Sequence, residues 1–238
     1  MTSQPLESLL GAARFGTYLN AAGGDAQRAL DLYLWATELS GALHAQLSFV
    51  EIAVRNAIDS QLASWNVAQH KGRDWTAHGQ AAQLLYDLIG TPLNKARVFA
   101  AREAASRAPQ HTRAAHGVTH DDVLAQLMFG TWVKIIAPIS STESSAKQRQ
   151  LWGAAIHHAF PNTGSDDASR IAVGQQLETL RRLRNRVAHH DNLLHIQPAR
   201  RFNDMLSLLA KIDSGYPAIA AARSSLRRLQ KEDPRKAW

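Results

Sequence analysis

The chain has 238 residues, of which 45% are hydrophobic and none is cysteine. This composition allows a sizeable core and excludes disulfides and thiolate metal sites. The net charge of +7 is unevenly distributed, because residues 1–180 hold 14 Lys and Arg against 15 Asp and Glu, whereas residues 181–238 hold 13 against 5.

The basic last quarter indicates an anionic partner, and nucleic acid is the leading candidate. A solvated basic helix face would give the same charge pattern and is the alternative. Residues 1–5 lack a basic region followed by an apolar one, and no apolar run reaches the roughly 18 to 20 residues that cross a bilayer. We therefore expect a cytoplasmic protein with no membrane partner.

Apolar side chains recur at helical spacing along most of the chain, and clean period-two alternation is scarce. The spacing predicts helices over Ala26–Ser64 (one kinked helix or two consecutive ones), Ala81–Ile89, Asn94–Arg107, Val123–Ala137, Ser144–Phe160, Asp166 to about His190, Ala199–Ile212 and Pro217–Lys231. We expect an all-α fold in one domain, residues 1–238, with a core over about 26–212 and a basic C-terminal helix over 217–231.

Two local signals refine these helices. The segment Gly90-Thr91-Pro92 is expected to separate the second helix from the third. Thr119 and Asp122 have the spacing of a capping box at the start of the fourth. Large aromatic side chains at helical spacings are expected in the core: Phe129, Trp132 and Trp152.

The segment Leu180–Asp191 (LRRLRNRVAHHD) combines four arginines, an asparagine and two histidines near a predicted helix end. Arginine supplies a fixed charge and parallel donors for phosphate, and histidine exchanges protons near neutral pH. Together these groups can cut an RNA backbone without metal. A structural role is the alternative, since arginines near a helix C-terminus interact favourably with its dipole.

Helix geometry limits how this segment could form a site. Asn185 and His189 are four residues apart and share a face. Arg184 and His189 are five apart, which places them about 140° apart around an ideal helix. They would converge only if the helix unwinds near His189 or if a second subunit supplies the matching group.

Three separated segments carry a family resemblance: FVEIAVRNAI at 49–58, LMFGTWV at 127–133 and RNRVAHH at 184–190. Together they resemble the Abi-like (abortive infection) family of HEPN-domain proteins, over roughly residues 30–195. The last segment is similar to the R-x4-6-H motif of HEPN ribonucleases, including the common asparagine directly after the arginine. Three such segments in this order are more specific than one short motif.

The resemblance implies an HEPN-like helical bundle with additional helices, usually a homodimer with a composite active site. It also implies a metal-independent endoribonuclease that needs no cofactor and leaves a 2′,3′-cyclic phosphate, acting as a toxin or antiphage effector. His189 would be the acid or base, Arg184 would bind phosphate oxygens, and Asn185 would orient His189 or the scissile group. His190 is an accessory candidate, and a non-catalytic HEPN-like RNA-binding or adaptor protein is the alternative class.

Further residues are candidates for accessory roles at the site. Glu51 and Arg55 are four apart and would form an intrahelical ion pair by default. The resemblance instead places Glu51, Arg55 and Asn56 beside the arginine–histidine helix. Additional arginines are expected to contact the RNA backbone without reading its sequence: Arg181, Arg182, Arg186, Arg223 and Arg227. The scattered histidines lack the accompanying glutamate of a zinc protease motif, and no metal is expected.

Asp191 departs from the pattern of some HEPN toxins. Those proteins carry a tyrosine two positions after the motif histidine, where a partner nucleotidyltransferase modifies them, and here that position is Asp191. We therefore expect a different antitoxin protein or an inhibitory RNA as the neutralising partner.

Overall fold

The computed structural model describes residues 4–114, 116–140, 143 and 145–238. These residues are mostly helical and include no strand, which confirms the all-α prediction. The α-helices of this part of the chain are α1 Gln4–Leu10, α2 Ala12–Ala21, α3 Ala26–Ala68, α4 Gln83–Ala105, α5 His120–Gln126, α6 Phe129–Ile136, α7 Ser145–Ala154, α8 Asp167–Ala188, α9 Pro198–Ile212, α10 Tyr216–Ala221 and α11 Leu226–Lys231.

The central element is α3, a single helix of 43 residues. Asp25 caps its N-terminus by accepting the backbone N–H groups of Gln27 and Arg28 at 2.8 and 3.0 Å. The helix packs against α2, α6, α8, α9 and α11. These contacts bury an apolar row from Leu32 to Leu62, and this burial stabilises a helix that continues through Gly41 without a second cap.

A single helix, α4, spans the region where two helices were predicted. Pro92 lies inside it and removes one backbone hydrogen bond. Leu88 and Ile89 before the proline and Leu93 after it are buried, so packing on both sides offsets the lost bond. The predicted separation at Gly90-Thr91-Pro92 is wrong because tertiary packing outweighs this local signal.

Two other predicted helices are each divided in the structure. Val123–Ala137 becomes α5 and α6, because Leu127 and Met128 adopt extended backbone. The predicted C-terminal helix 217–231 becomes α10 and α11, with Leu229 of α11 fully buried. Both predictions of a continuous helix are wrong, since periodicity does not reveal a short turn between two buried faces.

Other boundaries agree in part. The predicted helix 144–160 starts at Ser144, which lies outside the described residues, and α7 is followed by a 3₁₀ turn over Ile156–Ala159. The capping box of Thr119 and Asp122 is present. The three aromatic side chains predicted for the core are at most 2% exposed, which confirms their assignment: Phe129, Trp132 and Trp152. Helices α1 and α2 were not predicted.

Helix α8 carries the arginine–histidine segment and is fixed against α6. Asp166 caps it, as predicted. Arg170, which is 2% exposed, donates a hydrogen bond of 2.7 Å to the carbonyl of Ile136 at the end of α6. Gly174 allows the close approach, because a Cβ there would lie 2.5 Å from Cβ of Ala137. The position of α8 is therefore set over several turns before the candidate site.

Candidate functional site

A cleft of about 250 Å³ lies between α8, α6 and Pro92 of α4. Arg181, Arg184 and Asn185 of α8 line one wall, and Met128 lies on the opposite side, at the start of α6. The cleft therefore brings together two of the three predicted catalytic residues, Arg184 and Asn185. His189 is not one of its lining residues.

Arg184 is held in this cleft by charge rather than by hydrogen bonds. Its Nε lies 3.6 Å from Oε2 of Glu51 on α3, and its side chain is 32% exposed. That distance is too long for a hydrogen bond. Within the described residues, Arg184 donates no side-chain hydrogen bond, so the donors of its guanidinium remain available to an anion.

Glu51 belongs to this arrangement instead of pairing along its own helix. The default intrahelical pair with Arg55 is not formed, since the described residues place the Glu51 carboxylate against Arg184. Arg55 is half-buried and Asn56 is exposed, and neither forms a side-chain hydrogen bond or ion pair with the described residues. The structure thus pairs Glu51 with Arg184, which lines the cleft, whereas Arg55 and Asn56 have no ion pair or side-chain hydrogen bond with a described residue of the cleft.

The other cations of the cleft have closer carboxylate partners. Arg181 donates two hydrogen bonds to Glu178, of 2.6 and 2.8 Å, and this pairing holds the pKa of Glu178 below its usual range. Lys134, which also lines the cleft, lies 3.3 Å from Glu143. Among these three cations, Arg184 is therefore the least neutralised by a partner.

The C-terminal end of α8 forms a Schellman motif, in which His190 takes the left-handed position. Its φ is +52°, and its N–H donates to the carbonyl of Val187 at 3.1 Å. The N–H of Asp191 donates to the carbonyl of Arg186 at 2.8 Å, completing the motif. Arg14 of α2 donates a hydrogen bond to the carbonyl of His190, which ties the turn to a helix that the sequence pattern did not predict.

His189 keeps the helical register up to this turn. Its N–H donates to the carbonyl of Asn185 at 2.9 Å, and its φ and ψ are −92° and 11°. Asn185 and His189 therefore share a face, as predicted. The helix does not unwind between Arg184 and His189, so these two side chains remain about 140° apart around the axis of one chain.

All three of the predicted RNA-binding arginines on α8 are paired. Arg182 and Arg181 share Glu178, and Arg186 pairs with Asp191 at 3.0 Å. The Arg186 guanidinium adds to a backbone hydrogen bond in holding the pKa of Asp191 below its usual range. Much of the local positive charge is therefore balanced within the segment.

The two late arginines differ in their surroundings. Arg227 of α11 lies over the ring of Phe202, 5.8 Å from its centroid. Arg223 follows α10 and is exposed, and its side chain makes no ion pair, hydrogen bond or cation–π contact with the described residues. Neither residue lines the cleft around Arg184.

His120, one of the scattered histidines, bridges two carboxylates in the structure. Its Nε2 lies 2.9 Å from Asp59 and its Nδ1 2.8 Å from Asp74. Burial alone would lower the pKa of His120, but hydrogen bonds to these two carboxylates outweigh it and raise that pKa. In the described residues no group of three or more His, Cys, Asp or Glu side chains is arranged to hold a metal ion.

The fold and the cleft define an all-α protein in which Glu51 of the longest helix, α3, pairs with Arg184 of α8. A family model, described as Abi-like protein, matches residues 5–195, and the chain belongs to this family. Membership suggests a role in abortive infection. Searches among curated proteins and among solved structures gave no match. Within the described residues, no helix is both long enough and apolar enough to span a membrane.

Proposed function

We propose that this Abi-like protein is a metal-independent endoribonuclease of the HEPN type, acting as a toxin or antiphage effector on RNA. Arg184, Asn185 and His189 are its reactive groups. The RNxxxH sequence over 184–189 and the placement of its first two residues in one cleft support this assignment.

The availability of Arg184 is the observation that carries the proposal. A half-buried guanidinium with no hydrogen-bond acceptor among the described residues keeps its donors open to solvent, from which an anionic ligand can take them. Phosphate oxygens match its parallel donors, and the charge of Glu51 limits its orientations. Cleavage produces a phosphorane with added negative charge, which a pre-oriented cation stabilises more than it stabilises the substrate.

The reaction needs two proton transfers. A base removes the proton of a ribose 2′-hydroxyl, whose oxygen forms a bond to the adjacent phosphorus as the bond from phosphorus to the 5′-oxygen breaks. An acid protonates the departing 5′-oxygen. The products are a 2′,3′-cyclic phosphate and a 5′-hydroxyl, so no electrons, metal or co-reactant enter the balance. His189 serves as the acid or base, and His190 is its nearest substitute.

A homodimer resolves the geometry that one chain leaves incomplete. Arg184 and His189 stay about 140° apart along a regular helix, and one histidine cannot readily perform both transfers. A second copy facing the cleft would supply its own His189. Apolar side chains beside the site offer a contact surface, since Met128 is 66% exposed and Ile52, next to Glu51, is 49% exposed.

A non-catalytic RNA-binding or adaptor protein is the second candidate. One observation favours it: the exposed ring of His189 makes no side-chain hydrogen bond within the described residues that would fix its orientation. In that case Arg184 and the exposed arginines would grip RNA without cleaving it. An antitoxin protein or an inhibitory RNA is the expected regulatory partner of the enzyme.

RNA cleavage in EDTA tests the enzyme. We expect the wild type to cut single-stranded RNA, and Arg184→Ala and His189→Ala to lose activity by about 100-fold or more. Arg73→Ala and His158→Ala are matched controls, because both residues are exposed, neither lines the cleft and neither is assigned to RNA binding. Intact RNA with the wild type, or full activity of Arg184→Ala, would refute the proposal.

Subunit mixing tests the composite site. Arg184→Ala and His189→Ala chains are each expected to be inactive alone. Mixed dimers should recover part of the activity, because one interface would contain an intact Arg184 and an intact His189. A fully active monomer at all concentrations would contradict the dimeric design while leaving the cleavage chemistry in place.

A further inference from the structure

A cavity of about 620 Å³ lies between α2, α3 and the C-terminal end of α8. It shares no lining residue with the cleft around Arg184, and its volume falls in the range of about 300 to 1,000 Å³ that is typical of small-ligand sites. His190 lines it and follows His189 directly. This cavity is therefore a separate site next to the candidate catalytic histidine.

Aromatic and apolar side chains form the inner part of the cavity. Tyr18 and Tyr33 meet edge to face, with their ring centroids 5.4 Å apart. Tyr18 is only 6% exposed, and burial raises the pKa of its hydroxyl. That hydroxyl makes no hydrogen bond to the described residues, although it is not sealed from solvent. A buried tyrosine with an open hydroxyl indicates a site that is completed by a polar ligand.

Opposite charges lie together at the rim. Arg14 donates one hydrogen bond to the His190 carbonyl, and its remaining donors are free of described acceptors. Asp191 lines the same cavity and is held ionised, because a backbone N–H and the Arg186 guanidinium lower its pKa. A carboxylate at this position repels a bare phosphate. The pair suits an uncharged planar group that presents acceptors and donors on one edge.

Small side chains of α3 keep the cavity open. Gly41 lies in the middle of this helix and lines the cavity, although glycine destabilises a helix interior relative to alanine. A Cβ at Gly41 would meet no atom within 4 Å. Packing therefore does not require glycine here, and a larger side chain would occupy the cavity itself.

We propose that this cavity binds a nucleobase, namely a guanine adjacent to the scissile phosphate of single-stranded RNA. This inference rests on the proposed ribonuclease function. The base packs against the half-buried ring of Tyr33, in the way that aromatic side chains accept unpaired bases, and the open hydroxyl of Tyr18 is available to hydrogen-bond to it. Arg14 donates to O6 of guanine, and Asp191 accepts from its N1–H and N2–H groups.

Calorimetry with the full chain and the four nucleoside monophosphates tests the site. GMP should bind most tightly, and Gly41→Leu should weaken its binding by about tenfold or more. Gly153→Leu is the matched control, since that glycine is also helical, has open space at its Cβ and lies outside the cavity. Equal GMP binding by wild type and Gly41→Leu, or no binding of any monophosphate, would overturn the proposal.

Oligonucleotides distinguish a base of RNA from a free nucleotide. An RNA with a single guanine should bind the wild type more tightly than the same RNA with an abasic residue in its place, and Gly41→Leu should remove this difference. If GMP binds but the RNA difference is absent in the wild type, the cavity is a free-nucleotide site and the assignment to RNA fails. Because these are binding measurements, they show whether the cavity binds a nucleobase even if the wild type leaves RNA intact.

Discussion

Replacing His190 by glycine is expected to stabilise the fold, because this residue occupies a backbone conformation that favours glycine. With φ at +52°, it is in the left-handed region, where its Cβ crowds the chain. The usual penalty for an L-residue there is about 1 to 2 kcal/mol, and histidine occurs there more often than most residues. Against this gain, glycine lowers the free energy of unfolding by about 0.4 to 1 kcal/mol, because it makes the unfolded chain more flexible.

Subtracting the second quantity from the first leaves a net gain of roughly 0 to 1.6 kcal/mol for His190→Gly, or a rise in melting temperature of at most about 3 to 6 °C for a chain of this size. His190→Ala is the control, since it removes the same ring but keeps the Cβ. Denaturant unfolding of the three proteins gives the free energies. If the glycine variant is no more stable than the alanine variant, the left-handed turn at the end of α8 is not strained in the way argued.

Two further predictions concern stability. His120→Ala should reduce the free energy of unfolding by about 1 to 3 kcal/mol at acidic pH. Because the folded state raises the pKa of His120, this loss of stability should be complete below about 6.5, the pKa of an unfolded histidine, and should shrink as the pH rises through the folded pKa. A loss that stays constant across this pH range in unfolding measurements would contradict the prediction. Gly174→Ala should destabilise the fold by about 1 to 3 kcal/mol, because its Cβ would lie 2.5 Å from that of Ala137. Gly153→Ala is the control and should not destabilise, because a Cβ there meets open space. Equal melting temperatures for the two variants would refute the close packing at Gly174.

Local sequence signals predicted the helices that depend on local causes. Thr119 and Asp122 form the expected capping box, and Asp166 caps α8. Periodicity was not sufficient where tertiary packing acts against a breaker or divides a helix. Pro92 stays inside α4 because buried side chains flank it, whereas Met128 interrupts a periodic segment by taking extended backbone.

The candidate site shows the same division. Helical spacing predicted that Asn185 and His189 share a face, and the family-like segments drew attention to Glu51. The ion pair between Glu51 and Arg184 joins residues that are far apart in sequence, so spacing along one helix could not distinguish it from a pair with Arg55. Arg14 was missed entirely, because the short helices that hold it against His190 gave no clear periodic signal.

The sequence by itself determined an all-α protein and the order of Arg184, Asn185 and His189 along one helix, because both follow from side-chain spacing at 3.6 residues per turn. Only the tertiary structure decided which of these groups enters a cleft and which carboxylate neutralises which arginine. Those outcomes depend on contacts between helices that are far apart in sequence, such as α6 with α8 at the cleft and α3 with α8 at the Glu51–Arg184 pair. The physical reason is that charge pairing and cavity shape are properties of packed surfaces, which a pattern along one chain does not specify.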